Sequence, residues 1–290
     1  MNELAPKLHL KRHSFQYNGF TTVYWRAENG APPLILLHGL TGNHLGLLWL
    51  AQQLPQYDVI VPDIPGHGES PVPDQSATID DLADWLKVFV QQWPDAVIVT
   101  HSFSGAIALR ALKDNPDLAS RCVLLNPVPQ VSLLSRAYRW MLQHSPAWAS
   151  LRIEASPLVQ FIKQRYIVLR RTPENMAIYD YLKSNGTNDD EHVGYYLALG
   201  AHLEDPIFRE PLGACASKVW CVVGSSDAAV SRSGIELLRS TFGENHVLTC
   251  LQTGHLMPIE APADTAGLIV QALDASTEEA SEPATEHAAV

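Results

Sequence analysis

Little in this chain points to an oxidising compartment or to a membrane span. Only four of its 290 residues are cysteine, Cys122, Cys215, Cys221 and Cys250, and no two form a C-x-x-C pair. Such sparse, unpaired spacing argues against a disulfide framework or a zinc site, and reads as small buried residues. No apolar run is long enough to cross a bilayer. The opening MNELAPKLHLKRHSF lacks the apolar stretch of a secretory signal, so a cytoplasmic location is expected. Cations are also scarce: 20 Lys and Arg against 31 Asp and Glu give a net charge of -11, which excludes nucleic acid as a partner held by charge. Lys and Arg are missing altogether from Asp274 onward. That end, residues 276–290, is Ala, Glu, Ser, Thr and Pro with almost nothing to bury, and is expected to be a disordered acidic tail.

What is present is an α/β pattern. Short apolar runs alternate with helical segments: Leu34–Leu37, Asp58–Val61, Ala96–Thr100, Cys122–Leu125, Val219–Val223 and Val247–Leu251. Continuous apolar strands of this length predict a mostly parallel central sheet covered by helices on both faces. His9 to Ala27 reads as an antiparallel hairpin turning at Asn18-Gly19. Thr78-Ile-Asp-Asp81 resembles a helix-capping box, and Ile79, Leu82, Leu86, Phe89, Val90 and Trp93 fall on one helical face that stops at Pro94. Gly105–Leu112 predicts a helix packed on the sheet, and Ala263–Leu273 a closing one. From Pro129 to Pro206 the strand pattern vanishes. That stretch reads as a helical insertion broken at Pro146, Pro157 and Pro173. The expected organisation is therefore a core of residues 1–128 and 206–275 with a cap at 129–205.

The chemistry is carried by the strand ends. Thr100-His-Ser102-Phe-Ser-Gly105 lies where a buried strand turns into an apolar helix, the setting of a nucleophile elbow. Thr100 and Ser104 stand where glycine is usual. Two further strands end in Leu34-Ile-Leu-Leu-His-Gly-Leu40 and in Pro62-Asp-Ile-Pro-Gly-His-Gly-Glu-Ser70. Val219-Trp-Cys-Val-Val-Gly-Ser-Ser-Asp227 puts an acid past a strand, and Thr253-Gly-His255-Leu-Met-Pro-Ile-Glu260-Ala-Pro262 puts a histidine past the last one. In a parallel sheet these ends share one edge. A serine hydroxyl needs a base to become nucleophilic, histidine titrates near neutrality, and a buried carboxylate fixes its tautomer. His38 and His67 read as loop-packing residues, and His101 as buried and hydrogen-bonded. His38 and His44 lack a third ligand at metal spacing. No metal or cofactor is expected.

Together these segments resemble the α/β-hydrolase family, in the chain order Ser, Asp, His. The resemblance covers about residues 20–128 and 206–273. It implies Ser102 as nucleophile, Asp227 and His255 as its partners, and the backbone N–H groups of Leu40 and Phe103 as the oxyanion hole. It also implies a serine hydrolase acting on a carboxylic ester or thioester of a small to medium acyl substrate. A C–C bond hydrolase or lyase of the same fold, and a non-catalytic ligand-binding homologue, are the alternatives. Dehalogenase chemistry is disfavoured because it needs a carboxylate where Ser102 stands.

The insertion is set apart by charge. Val131 to Arg171 carries Arg136, Arg139, Arg152, Lys163, Arg165, Arg170 and Arg171 against Glu154, a local charge of +6. The same stretch holds Leu133, Leu134, Trp140, Met141, Leu142, Trp148, Phe161 and Ile162. The reading is an apolar pocket wall with a basic outer surface, suited to an anionic or carrier-bound acyl substrate.

Overall fold

The computed structural model describes residues 6–74, 77–145, 149, 152–153, 156–186, 190–200 and 202–281. Eight strands form one sheet: β1 (Lys11–Tyr17), β2 (Phe20–Arg26), β3 (Pro33–Leu37), β4 (Asp58–Pro62), β5 (Val97–His101), β6 (Arg121–Leu125), β7 (Val219–Gly224) and β8 (Val247–Cys250). Their spatial order is β1-β2-β4-β3-β5-β6-β7-β8. The β1–β2 and β2–β4 pairs are antiparallel and every pair from β4–β3 to β7–β8 is parallel. The hairpin turn sits at Asn18-Gly19, both with positive φ (46° and 83°), as a tight two-residue connection requires.

Alternation along the parallel strands divides the core into two layers. Ile35, Leu37, Ile98, Cys122, Leu124 and Cys221 face one side. They pack there against α2 (Ile79–Val90) and α3 (Ser104–Asp114), through Trp85, Phe89, Ile107 and Leu112. Leu34, Leu36, Val97, Val99, Val123, Leu125 and Val222 face the other side, against α1 (Leu48–Ala51) and the closing helix. All four cysteines are buried and free. The capping box is realised: the Thr78 hydroxyl accepts from the Asp81 N–H, and the Asp81 carboxylate accepts from the Thr78 N–H.

Between β6 and β7 the chain is helical: α4 (Leu133–Gln143), α5 (Pro157–Ile167), α6 (Pro173–Asn185) and α7 (Asp190–Gly200). Pro157 and Pro173 mark boundaries by starting helices at the position where a missing N–H costs nothing. Pro146 lies outside the described residues. After β7 come α8 (Arg232–Phe242), the single turn α9 (Met257–Glu260) and the closing helix α10 (Pro262–Ser281). The last of these corrects an expectation. Residues 276–281, read as the start of a disordered tail, continue the helix. Ala and Glu are good helix formers and extend a helix already nucleated by packing, without needing a buried face of their own. Residues 282–290 lie outside the described residues.

Candidate active site

β5 ends in a sharp turn into α3, and Ser102 occupies it with φ 59°. A non-glycine residue in this left-handed region is strained by about 1–3 kcal/mol. The turn is held by hydrogen bonds that compensate: the Ser102 N–H donates to Leu125 O (2.8 Å) and the Gly105 N–H to Ser102 O (3.1 Å). Ser104, standing where glycine is usual, adds a brace. Its hydroxyl accepts from the His101 N–H (3.1 Å) and reaches Leu37 O (3.1 Å), tying the elbow to β3. Thr100 is the weaker replacement, since its buried hydroxyl has no hydrogen-bond partner.

His255 and Asp227 reach this turn from the ends of β8 and β7. His255 Nε2 lies 2.9 Å from Ser102 Oγ, and His255 Nδ1 lies 2.8 Å from Asp227 Oδ2. An ionised carboxylate only accepts, so Nδ1 carries the proton and Nε2 presents its lone pair to the serine hydroxyl. Asp227 is fixed on its other oxygen by the Ala229 N–H (2.8 Å). Burial pushes the His255 imidazole toward neutrality, but the Asp227 carboxylate, with help from Glu260, outweighs it and holds the pKa above the ordinary histidine value. Burial likewise opposes ionisation of Asp227. The charge and hydrogen bond of His255 prevail, holding the carboxyl below its ordinary value.

The loop after β3 passes directly against the elbow. A Cβ built on Gly39 would lie 3.1 Å from Ser102 Cβ and 3.1 Å from His101 Nδ1, so only glycine fits without displacement. Leu40 is the next residue of the same loop. The N–H groups of Leu40 and of Phe103, at the start of α3, donate in none of the hydrogen bonds among the described residues.

The chain matches the model of the alpha/beta hydrolase family over residues 34–268. It belongs to that family. The hydrolase is 26% identical over 253 residues to lipase LipV of Mycobacterium tuberculosis, spanning 83% of this chain and 93% of that protein. It is 30% identical over 154 residues to 2-succinyl-6-hydroxy-2,4-cyclohexadiene-1-carboxylate synthase of Serratia proteamaculans, spanning 50% of this chain and 57% of that one. Among solved structures, a bacterial membrane phospholipase A superposes with a TM-score of 0.74 at 20% identity, covering 95% of this chain and 88% of that one. This last likeness speaks to the fold alone.

Two residues that organise the hydrolase site, Asn126 and Glu260, had no role in the sequence reading, and a third, His101, was expected to be buried and hydrogen-bonded. Asn126, at the end of β6 with φ 43°, accepts from the Gly224 N–H (2.7 Å) through Oδ1. Its Nδ2 donates to Gly254 O (2.9 Å) and His255 O (3.0 Å). One amide thus clamps the β7 end to the histidine loop. Glu260, 4% exposed, receives the N–H groups of Gly254, Leu256, Leu169 and Arg170, so the same carboxylate folds the histidine loop and pins the segment after α5 to it. The G-H-x-x-x-x-E-x-P spacing contained Glu260, and a fixed acid inside a histidine loop was the available signal. His101 is buried and hydrogen-bonded as expected, with its Nε2 2.8 Å from His255 O. Burial, then the neighbouring His255, drives its pKa down to about 3, so it is a neutral donor holding the backbone of the histidine loop.

Other histidines fall into loop structure. His38 Nε2 accepts from the Ile64 N–H (3.0 Å). His44 bonds the buried Asp63, whose carboxylate also receives the Glu69 N–H and leaves no room for a side chain at Gly68, φ 56°. His67 is buried, and burial holds its imidazole well below the ordinary value.

A narrow crevice at Ser102, too tight as it stands to hold a water molecule, is lined by Phe103, Ala106, Val128, Leu203 and Phe208 together with His202, Glu204 and Asp205. The two acids are matched: Arg136 and Arg139 meet Glu204 (2.7 Å each), and Arg110 grips Asp205 with both ends. Apart from His202, the rest of the lining is apolar. A second correction follows. Leu133, Leu134, Trp140, Met141 and Phe161 were expected to form the pocket wall, yet they are 82%, 57%, 61%, 37% and 61% exposed. Periodicity shows that a helix has an apolar face but not which way the face turns, and here Arg136 and Arg139 anchor α4 to Glu204 by its polar side. Trp148 lies outside the described residues. No described helix is long and apolar enough to cross a membrane.

Proposed function

We propose that this hydrolase cleaves a carboxylic ester or thioester of a small to medium acyl group through an acyl-enzyme on Ser102. The observation that carries the reading is the continuous proton path Ser102 Oγ, His255 Nε2, His255 Nδ1, Asp227 Oδ2, with links of 2.9 and 2.8 Å. In this reading Ser102 Oγ attacks the carbonyl carbon while its proton passes to His255 Nε2. Asp227 stabilises the imidazolium, and the N–H groups of Leu40 and Phe103 hold the oxyanion. Collapse expels the alcohol or thiol, which takes the proton from Nε2. Water then attacks the acyl carbon by the same route, releasing the acid and free Ser102. Phe103, Ala106, Val128, Leu203 and Phe208 around Ser102, with Glu204 and Asp205 already paired, suit the hydrocarbon part of an acyl group. Residues 129–205 act as the cap that shapes this crevice, and the basic stretch 131–171 favours anionic or carrier-bound leaving groups.

The test is a panel of p-nitrophenyl esters, acyl-CoAs and C–C hydrolase substrates, with Ser102→Ala as control and mass spectrometry for an acylated Ser102. An acyl adduct with ester turnover supports the reading. The likeness to the carboxylate synthase favours a second one, in which the same His255–Ser102 pair abstracts a substrate proton in a lyase reaction; turnover with no acyl adduct selects it. A folded protein that neither turns over any substrate nor reacts at Ser102 with a fluorophosphonate would leave a ligand-binding role.

A further inference from the structure

The loop after β3 turns tightly over Gly39-Leu40-Thr41-Gly42. The Gly42 N–H donates to Gly39 O (3.0 Å), and Thr41 sits at φ 62°. A β-branched residue rarely adopts that left-handed conformation, so the turn needs further support. His38 supplies it. Its Nδ1 lies 2.8 Å from Gly39 O, and its Nε2 lies 3.0 Å from the Ile64 nitrogen. A backbone N–H only donates, so Nε2 accepts from Ile64 and the ring proton is on Nδ1, donating to Gly39 O. The ring is buried, and burial outweighs the nearby Asp63 carboxylate to hold its pKa below the ordinary histidine value. It therefore stays neutral in this one tautomer. Ile64 is a firm anchor, because the loop after β4 is itself braced. Asp63 receives the N–H groups of His44 and Glu69, and the Ser70 hydroxyl donates to Asp63 O.

Gly39 O and the Leu40 N–H belong to one peptide unit. No peptide bond among the described residues is cis, so this N–H points away from the carbonyl in the same plane. Two donors on the carbonyl thus fix the direction of the N–H. The unit begins at the Gly39 Cα, where a Cβ would stand 3.1 Å from Ser102 Cβ. The Leu40 N–H itself donates in none of the hydrogen bonds among the described residues. We infer that His38 is a positioning residue for the oxyanion hole: by donating to Gly39 O it holds the Leu40 N–H ready for the developing oxyanion. The inference rests on the acyl-enzyme reading proposed above. Such a donor stabilises the transition state only when it is already aimed, so an imidazole tied at both nitrogens suits the task. His38 then does more than pack a loop, and the loop after β4 serves the site as its anchor.

The two ring nitrogens can be tested apart in the full chain. His38→Asn keeps a donor at the Nδ1 position and loses the acceptor for Ile64. His38→Gln keeps an acceptor near Nε2 and loses the donor to Gly39 O. The measurements are kcat and KM on a p-nitrophenyl ester, melting temperature, and inhibition by a trifluoromethyl ketone. Ser102 Oγ adds to the carbonyl carbon of that ketone, the serine proton passes to His255, and the carbonyl oxygen becomes the oxyanion. His38→Gln should lose roughly 10–100-fold in kcat with KM within about twofold, and bind the trifluoromethyl ketone more weakly by the same factor. His38→Asn should melt lower, because the buried Ile64 N–H is left unpaired, yet keep kcat within about fivefold of wild type. A merely structural histidine would make activity follow stability instead. Wild-type kcat and inhibitor affinity in His38→Gln, or a His38→Asn as slow as His38→Gln, would overturn the inference and leave the acyl-enzyme reading standing. If His38→Asn does not fold, the kcat, KM and inhibitor affinity of His38→Gln decide alone. A wild type that neither turns over esters nor reacts at Ser102 with a fluorophosphonate overturns both.

Discussion

The rim of the sheet and the helical insertion above it are built on opposite terms. At the rim, Ser102, Asn126, His101, Thr253 and Glu260 are all at most 8% exposed, and nearly every polar group is matched by a bond of about hydrogen-bond length. In the insertion, large apolar side chains stand in solvent while arginines reach inward to Glu204 and to the carbonyls of Leu251 and Gln252. A proton path tolerates errors of only a few tenths of an ångström, so its supports are buried and overdetermined. The difference teaches that the two regions answer to different tests: geometry at the rim, exposure in the insertion.

Mutations at the rim should therefore change turnover, and mutations on the outer face of α4 should not. The largest effect is expected from Ser102→Ala, which should lower kcat on a responsive ester by about 10⁴-fold or more, with the melting temperature preserved. Residual activity near wild type would move the chemistry away from the rim. Asp227→Asn comes next, with a drop in kcat of roughly 10³–10⁴-fold because the imidazole loses its orienting carboxylate. The same pair fixes a pH dependence. Protonated His255 cannot accept the serine proton, so kcat/KM should be lost as pH falls through the raised His255 pKa, with a midpoint above the ordinary value of about 6.5. Asp227→Asn removes the largest influence that raises it, so any residual activity should show that midpoint moved downward.

Smaller changes sharpen the comparison. Glu260→Gln replaces a carboxylate that receives four N–H groups by an amide with one acceptor oxygen. We expect a loss of about 2–3 kcal/mol in stability by denaturant titration, and a fall in kcat larger than the change in KM. Asn126→Ala removes the clamp on the histidine loop and should cost about 1–3 kcal/mol, with the Gly224 N–H left unpaired. The smallest effect belongs to Leu133→Ser/Trp140→Ser, expected within about 0.5 kcal/mol in stability and without effect on hydrolysis of a water-soluble ester. A large loss there would show that α4 belongs to the rim after all.

Much of the sheet was legible because its signals are local. A buried parallel strand writes itself as four or five consecutive apolar residues, and Thr78 and Asp81 announce a helix start within four positions. The elbow was legible through context, despite Thr100 and Ser104, because strand, serine and apolar helix are contiguous. Asn126 carries no local mark of its role. Its importance lies in partners 98, 128 and 129 residues away, which no local pattern contains. The apolar residues of α4 were expected to line the pocket but face solvent, since the salt bridges to Glu204 that orient the helix span 68 and 65 residues.

By itself, then, the order of residues determined the elements, the α/β layering and the short list of side chains able to do acyl chemistry, because hydrophobic period and turn chemistry act between neighbours. Tertiary structure alone decided that Ser102, His255 and Asp227 come within hydrogen-bond distance, that Glu260 and Asn126 brace them, and that α4 shows its apolar side to solvent. Those outcomes depend on which distant segments share an edge, and contact between distant segments is a property of the packed chain.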